Sequence, residues 1–98
     1  MIELTLSQVA ATVGARLPGR AGAALIDAVA TDSRAVPAGR PLFIALRTAQ
    51  GDGHAHAADA VAAGAVAVLA EREVAVEVPV LEVADTWAAL RALATEVR

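Results

Sequence analysis

Polar side chains that could recognise a ligand come together in the run Thr31 to Arg34, directly after an apolar segment predicted to be a strand. The hydroxyl of Ser33 can donate a hydrogen bond to a carbonyl, and the guanidinium of Arg34 can hold an anion. In open α/β sheets, ligands bind in the crevice at the carboxyl ends of the strands. A plain turn explains the same residues, with Asp32 and Ser33 bonding turn amides and Arg34 as a surface charge. Spacing alone leaves both interpretations open.

A second polar segment, Thr48 to His54, leaves another predicted strand and enters a predicted helix. Its backbone amides and the helix N-terminus could face the same crevice, and its glycines would let a planar ligand approach the backbone closely. The alternative is a flexible connection in which Asp52 caps the helix. The pattern does not decide between them.

Other chemistry receives little support from the residue pattern. Asp32, Ser33 and His54 contain the groups of a hydrolase triad, but they do not form a recognisable set at this spacing. His54 and His56 are two positions apart and point to different faces of a helix, so a shared metal ion is not expected. Trp87 lies on the apolar stripe of a helix and is predicted to pack in a core or a domain interface.

The composition excludes several classes of site. The chain of 98 residues has no cysteine and no lysine, which excludes thiolate nucleophiles, Cys-type zinc sites and the lysine of a phosphate loop. A net charge of −3, scattered arginines and one Phe with one Trp argue against a nucleic-acid partner. No apolar run approaches the roughly 18 residues of a membrane span, and the N-terminus is not a signal peptide. We therefore expect a cytoplasmic protein without a membrane partner.

The elements that would position these residues alternate between helix and strand. Thr5 and Gln8 have capping-box spacing at the start of a first helix that ends at Gly14. The other elements are read from apolar periodicity and breakers, and are predicted as strands at 25–31, 42–46, 66–69 and 80–83 and a helix at 54–63. The alternating valines 74, 76 and 78 suit a hairpin arm, which Pro79 makes either an edge strand or a loop.

Asp85 is predicted to cap a final helix. Trp87, Leu90, Ala94 and Val97 would form its apolar face. Together the elements predict one layered α/β domain with a small mixed sheet flanked by helices. The last helix reaches the end of the chain without a cap, so we expect 1–98 to be one domain of a longer protein.

The order of short motifs along the chain adds a family resemblance. In this order and spacing they resemble the N-terminal domain of the Mur ligases, and they cover nearly the whole chain. The motifs are Asp32-Ser33-Arg34, Pro37 to Gly39, Leu42 to Leu46, Asp52-Gly53-His54, Ala63 to Leu69, and Val83 to Thr86 followed by Ala89-Leu90 and Leu93-Ala94.

This resemblance implies a domain that holds the UDP end of a UDP-N-acetylmuramoyl peptide. Ser33 would hydrogen-bond the uracil, and Arg34 would support its loop or the phosphates. The other wall of the substrate site would be formed by Ala49, Gln50 and Gly51. The residues that would shape the two loops are Asp32, Asp52, Gly53 and His54. No catalytic residue and no metal ligand is expected in this domain.

The same resemblance implies that catalysis belongs to further domains of a three-domain ligase of peptidoglycan precursor synthesis. A central domain with ATP and Mg²⁺ and a C-terminal domain would activate a peptide carboxylate as an acyl phosphate. The ending Val83-x-Asp85-Thr86 favours the branch that adds D-alanyl-D-alanine over the branch that adds the third peptide residue. A free-standing nucleotide-sugar binding module and a purely structural domain are the alternatives.

Three positions depart from the usual family pattern. Gly39-Arg40-Pro41 stands where Gly-Asp commonly precedes Leu-Phe, and Thr48 stands where a glycine commonly follows the strand. Ala55-His56 replaces the usual Asp-Phe after the histidine. Thr48 and His56 therefore alter the loop that the resemblance assigns to uridine.

Overall fold

The computed structural model describes residues 4–15, 24–49 and 51–96, with the side chain of Glu96 excepted. A short 3₁₀ turn, Gly53–His56, leads into the helix that begins at Ala57. No helix in these ranges is long and apolar enough to cross a membrane. The elements in chain order are β1 (Leu4–Thr5), α1 (Leu6–Val13), β2 (Leu25–Ile26), β3 (Ala28–Ala30), β4 (Pro41–Ile44), β5 (Arg47–Thr48), β6 (Gly51–Asp52), α2 (Ala57–Ala62), β7 (Ala67–Ala70), β8 (Val80–Glu82) and α3 (Thr86–Glu96).

The central sheet has four strands in the order β3-β4-β7-β8, and every neighbouring pair is parallel. Antiparallel pairing is confined to two small ribbons, β1 with β2 and β5 with β6. The layered α/β architecture is therefore confirmed. The sequence analysis predicted one small mixed sheet. In the structure, the parallel pairs form the central sheet and the antiparallel pairs form separate ribbons.

Successive residues of the buried strands face opposite sides of the sheet, as the two-residue period of a strand requires. On one side, α1 and α3 pack against each other and against β4 through Leu42 and Ile44. On the other side, Phe43 and Val68 pack with the alanines of α2. The predicted apolar run 42–46 is buried throughout, as expected for a central parallel strand.

The first helix is confirmed, including its ends. The Thr5 hydroxyl accepts a hydrogen bond from the backbone N–H of Gln8, and the Gln8 side chain accepts from the backbone N–H of Thr5. Gly14 ends the helix with a φ of 72°, a left-handed conformation that glycine adopts without a Cβ penalty. Purely local chemistry therefore defines this element.

The segment predicted as one strand, 25–31, is two strands that belong to different sheets. Asp27 separates them, because its backbone N–H donates to the carbonyl of Arg40 and its carboxylate accepts from the backbone N–H of Arg40. β2 then pairs with β1, whereas β3 pairs with β4. A single apolar pattern conceals such a change of partner.

The final helix is confirmed with Asp85 as its cap, since the Asp85 carboxylate accepts from the backbone N–H groups of Trp87 and Ala88. Its predicted apolar face is confirmed only in part, since Leu90 packs partly buried against the core, Ala94 is exposed, and Val97 lies outside the described residues. The buried side chains are Thr86, Ala89 and Leu93, while Trp87 is 43% exposed. Thr86 is drawn inward because its N–H and hydroxyl both donate to the Glu71 carboxylate.

Of the two alternatives for valines 74, 76 and 78, the structure shows the loop. β8 runs parallel to β7, so the chain between them must cross over one face of the sheet and cannot return as a hairpin. The three valines are half-buried against the α2 side of the core. The crossover is thus made without a helix.

Candidate functional site

A cleft of about 800 Å³ lies where the parallel strands end. The segment after β3, the segment after β4 and the start of α3 surround it, as the position of ligand sites in open α/β sheets predicts. Both sequence segments that were singled out for recognition reach it. Its lining residues are Thr31, Asp32, Ser33, Arg34, Phe43, Leu46, Thr48, Gly51, Gly53, His56, Asp59 and Trp87.

The turn after β3 is organised by the Asp32 carboxylate. Its Oδ1 accepts from the backbone N–H of Arg34 at 2.9 Å and from Nε of Arg34 at 3.1 Å, and its Oδ2 accepts from Nη2 at 3.0 Å. These bonds lower the pKa of Asp32 below its ordinary value. They also orient the guanidinium, which is exposed and keeps further N–H groups for an anion.

Ser33 stands between these two residues and is half-buried at the edge of the cleft. Within the described part of the chain, its hydroxyl has no protein hydrogen-bond partner. A half-buried hydroxyl gains most from a partner that a ligand supplies. Ser33 is therefore placed to donate to or accept from a bound molecule.

The opposite wall is the β5–β6 ribbon, and glycine brings it against the strand end. A Cβ on Gly53 would lie 2.7 Å from the backbone N and 2.9 Å from the backbone O of Leu46. Gly53 N–H donates to the Leu46 carbonyl at 2.8 Å. Gly51 has a φ of 142°, a conformation that L side chains rarely adopt. Gly53 is therefore required for the close approach to Leu46, and Gly51 for the backbone conformation of the ribbon.

His54 connects the β5–β6 ribbon to Glu71, the residue that follows β7. Its side chain is fully buried, its Nε2 accepts from the backbone N–H of Glu71 at 2.9 Å, and its Nδ1 lies 2.6 Å from Asp52 Oδ1. Because Nε2 is an acceptor, the proton of the neutral ring is on Nδ1 and is donated to Asp52. Both ring nitrogens are engaged, so His54 cannot serve Ser33 as a base, which removes the support for a hydrolase triad.

Further charges extend this arrangement to α3. Asp52 also accepts from Arg72 at 3.1 Å, and the Glu71 carboxylate pairs with Arg47 while accepting from Thr86. We call these five residues and His54 the His54 network. It ties the β5–β6 ribbon to the end of β7 and to the first turn of α3.

The pH dependence of stability should contain a contribution from Asp52. Hydrogen bonds from the N–H and ring of His54, and then from Arg72, lower the pKa of Asp52 far below its ordinary value. A carboxyl group whose pKa is lower in the folded chain stabilises it above the unfolded pKa and loses this effect as pH falls. We expect the free energy of unfolding to decrease between about pH 5 and about pH 1, and to decrease less steeply in Asp52→Asn. Urea denaturation at a series of pH values measures this, and parallel profiles would contradict it.

The structure brings only part of the predicted site together at the cleft surface. Ser33, Arg34 and Gly51 line it, but Ala49 does not. Gln50 lies outside the described residues. Of the predicted loop-shaping residues, Asp32 and Gly53 line the cleft. Asp52 and His54 do not line it, and they hydrogen-bond to each other within the His54 network.

Seven lining residues were not selected as site residues from the sequence: Thr31, Phe43, Leu46, Thr48, His56, Asp59 and Trp87. Thr48 and His56 had been noted as departures from a family pattern. His56 Nδ1 lies 3.7 Å from Asp59 Oδ2, and both side chains are exposed, whereas His54 is buried. The two histidines thus face different ways, as predicted. Among the described residues, no group of three or more histidine and acidic side chains could hold a metal ion.

Comparison with known proteins identifies the family. The family model described as "Mur ligase family, catalytic domain" matches residues 25–98. The chain belongs to the Mur ligase family. The match covers the cleft, the His54 network and all four strands of the central sheet of this Mur ligase domain.

Individual members of the family agree with this assignment. The Mur ligase chain is 51% identical over 78% of its length to the UDP-N-acetylmuramoyl-tripeptide--D-alanyl-D-alanine ligase of Mycobacterium leprae. It is 40% identical over its full length to the enzyme of the same name from Escherichia coli K12. It is also 46% identical over 69% of its length to the UDP-N-acetylmuramoyl-L-alanyl-D-glutamate--2,6-diaminopimelate ligase of Brucella melitensis.

A solved structure confirms the fold of this Mur ligase domain. The crystal structure of MurF from Acinetobacter baumannii superposes with a TM-score of 0.85 at 30% identity, over 95% of this chain and 20% of that chain. The present chain spans 16% of the Mycobacterium leprae ligase and 21% of the Escherichia coli ligase. The similarity therefore concerns about a fifth of a complete ligase.

Proposed function

We propose that this chain is the N-terminal substrate-recognition domain of a Mur ligase, and that its cleft binds the uridine end of a UDP-N-acetylmuramoyl peptide. The observation that carries the proposal is the half-buried Ser33 hydroxyl, which has no protein partner in the described ranges and faces the cleft beside an oriented arginine. A uracil carbonyl suits the hydroxyl, and a phosphate suits Arg34.

The opposite wall supports the same ligand. Gly51 lines the cleft and a Cβ built on it would meet no atom within 4 Å, so the backbone there is uncovered and a flat ring can approach it closely. We propose that Ala49 and Gln50, which precede Gly51, also belong to this wall, because the family resemblance assigns them to it. Asp32, Asp52 and His54 act by holding the two walls in position.

We assign the ligase reaction to a larger protein of which this chain is one domain. The residues present do not fit an ATP and Mg²⁺ site, because there is no lysine for a phosphate loop and the described acidic residues form no metal-binding group. ATP, Mg²⁺ and the catalytic groups are therefore proposed to belong to the central and C-terminal domains. This chain contributes binding of the nucleotide substrate.

Among the family branches, we propose the one that adds D-alanyl-D-alanine. The support is the 51% identity to the Mycobacterium leprae enzyme of that name, against 46% to the diaminopimelate-adding enzyme of Brucella melitensis. Assay of the full-length ligase with each amino substrate tests this choice. Exclusive use of diaminopimelate would contradict it.

The binding proposal is tested by a two-dimensional NMR titration of the chain with UDP-N-acetylmuramic acid. We expect saturable shifts at the amides of Ser33, Arg34, Gly51 and Gly53, which line the cleft. Ser33→Ala should weaken binding by about 5- to 10-fold, the loss expected for one neutral hydrogen bond. Ser7→Ala is the matched control, because Ser7 is exposed on α1 and does not line the cleft.

The outcomes separate the proposal from its alternatives. Shifts that map to another surface, or none at several times the concentration that saturates the full-length ligase, contradict a uridine site in this cleft. Binding by the chain, together with a gene that encodes no further ligase domain, would favour a free-standing nucleotide-sugar binding module. If Ser33→Ala leaves the KM of the full-length ligase for its nucleotide substrate unchanged, a purely structural domain is favoured.

A further inference from the structure

One large apolar side chain among the described residues is left exposed, and it lines the cleft. Trp87 is 43% exposed at the first turn of α3. The chain contains no tyrosine, and its single phenylalanine, Phe43, is 1% exposed. A carbocyclic aromatic surface can therefore be offered to a ligand in this cleft only by Trp87.

The indole is held in position by several bonds. Its Nε1 donates to the Arg47 carbonyl at 3.1 Å, and its backbone N–H donates to Asp85 at 2.9 Å. Arg47 pairs with Glu71, which in turn accepts from Thr86, the neighbour of Trp87. The ring is thus attached to the β5–β6 ribbon as well as to α3. An aromatic ring that is already oriented loses little conformational freedom when a ligand stacks on it.

The bond that attaches the indole to the β5–β6 ribbon uses its polar edge and leaves part of the ring exposed. Its polar edge is satisfied by the Arg47 carbonyl, while part of its apolar surface is exposed in a cleft whose other large apolar side chains, Phe43 and Leu46, are buried. A single exposed apolar side chain is common, but one that lines a cleft is stabilised when it contacts another apolar or planar surface, because apolar area is removed from water. A planar heterocycle supplies such a surface, and bases of every kind stack on aromatic side chains.

We propose that the indole of Trp87 stacks on the uracil base of the bound nucleotide, and so acts as an affinity-determining residue that the hydrogen-bonding groups of the cleft do not replace. This inference rests on the proposed uridine site. His56 also offers an exposed ring to the cleft, but it lies beside Asp59 and, among the described residues, has no hydrogen bond to the β5–β6 ribbon that would orient it.

The chain provides its own probe, because Trp87 is its single tryptophan and tyrosine is absent. Titration with UDP, excited at the red edge of the indole band, should change the emission saturably. Inorganic pyrophosphate, which lacks the base, should leave the emission unchanged. Trp87→Ala should weaken UDP binding, measured from the NMR shifts of Ser33 and Gly51, by about 5- to 100-fold. Trp87→Phe should restore most of the affinity, since it keeps a stacking ring.

Arg91→Ala is the matched control, since Arg91 is exposed on the same helix and does not line the cleft. If UDP shifts Ser33 and Gly51 while the emission and the affinity of Trp87→Ala stay unchanged, the stacking inference is overturned and the uridine site stands. An equal emission response to pyrophosphate also overturns stacking. If UDP shifts no residue of the cleft, the proposed function fails and the inference fails with it.

Discussion

Replacing Phe43 by alanine should lower the free energy of unfolding by about 3 to 5 kcal/mol. Phe43 is the largest fully buried side chain of the described core and lies on β4, between β3 and β7. Its neighbours on this side of the sheet are mostly alanines and valines. Such short side chains cannot move far enough to fill the space of a phenyl ring, so most of the cavity should persist.

Urea denaturation of the parent chain and the variant measures this effect. A domain of this size has a stability of about 5 to 15 kcal/mol, so Phe43→Ala would remove a large part of it. Phe43→Leu is the matched control, because leucine keeps most of the apolar volume and should cost less than about 2 kcal/mol. A loss below about 1.5 kcal/mol for the alanine variant would show that the sheet closes over the cavity.

The second large effect is expected for His54→Ala, which should lower the free energy of unfolding by about 2 to 5 kcal/mol. The substitution removes a fully buried ring and leaves the Glu71 N–H without its acceptor. It also takes one donor from the Asp52 carboxylate. Unpaired buried polar groups and a residual cavity both destabilise the folded chain.

His56→Ala is the matched control for this variant. His56 is exposed two residues further along the chain, so its removal should change stability by less than about 0.5 kcal/mol. Equal effects of the two substitutions would contradict the supporting role of the His54 network. NMR of His54→Ala should in addition show shifted amides at Gly51 and Gly53, because the ribbon loses its attachment to β7.

Several helices and strands could be predicted from residues that are close to one another in the sequence. The capping box of Thr5 and Gln8, the left-handed Gly14 and the Asp85 cap need only residues within one turn of their helices. The apolar run 42–46 is long enough, and closely enough bounded by turn residues, to predict a buried strand. The order of such motifs was also sufficient to predict the family.

Contacts between distant segments decided the rest. Asp27 divides one apolar run between two sheets because it meets Arg40, thirteen residues away. The face that α3 buries is set by the bonds of Thr86 to Glu71, fifteen residues away, and these leave Trp87 at the cleft. Helical periodicity shows which residues share a face, but it does not show which face the rest of the protein covers.

The candidate site shows the same division. The residue types and the predicted strand ends indicated that Ser33, Arg34 and Gly51 lie near one crevice, because the carboxyl ends of parallel strands meet at one edge of a sheet. In the structure all three line the cleft. The partners of His54, the engagement of both its ring nitrogens and the exposure of Trp87 depend on how β5, β7 and α3 pack together. Local chemistry along the chain selects turns, caps and strand ends, whereas burial and hydrogen-bond partners across the sheet arise only when these elements are assembled.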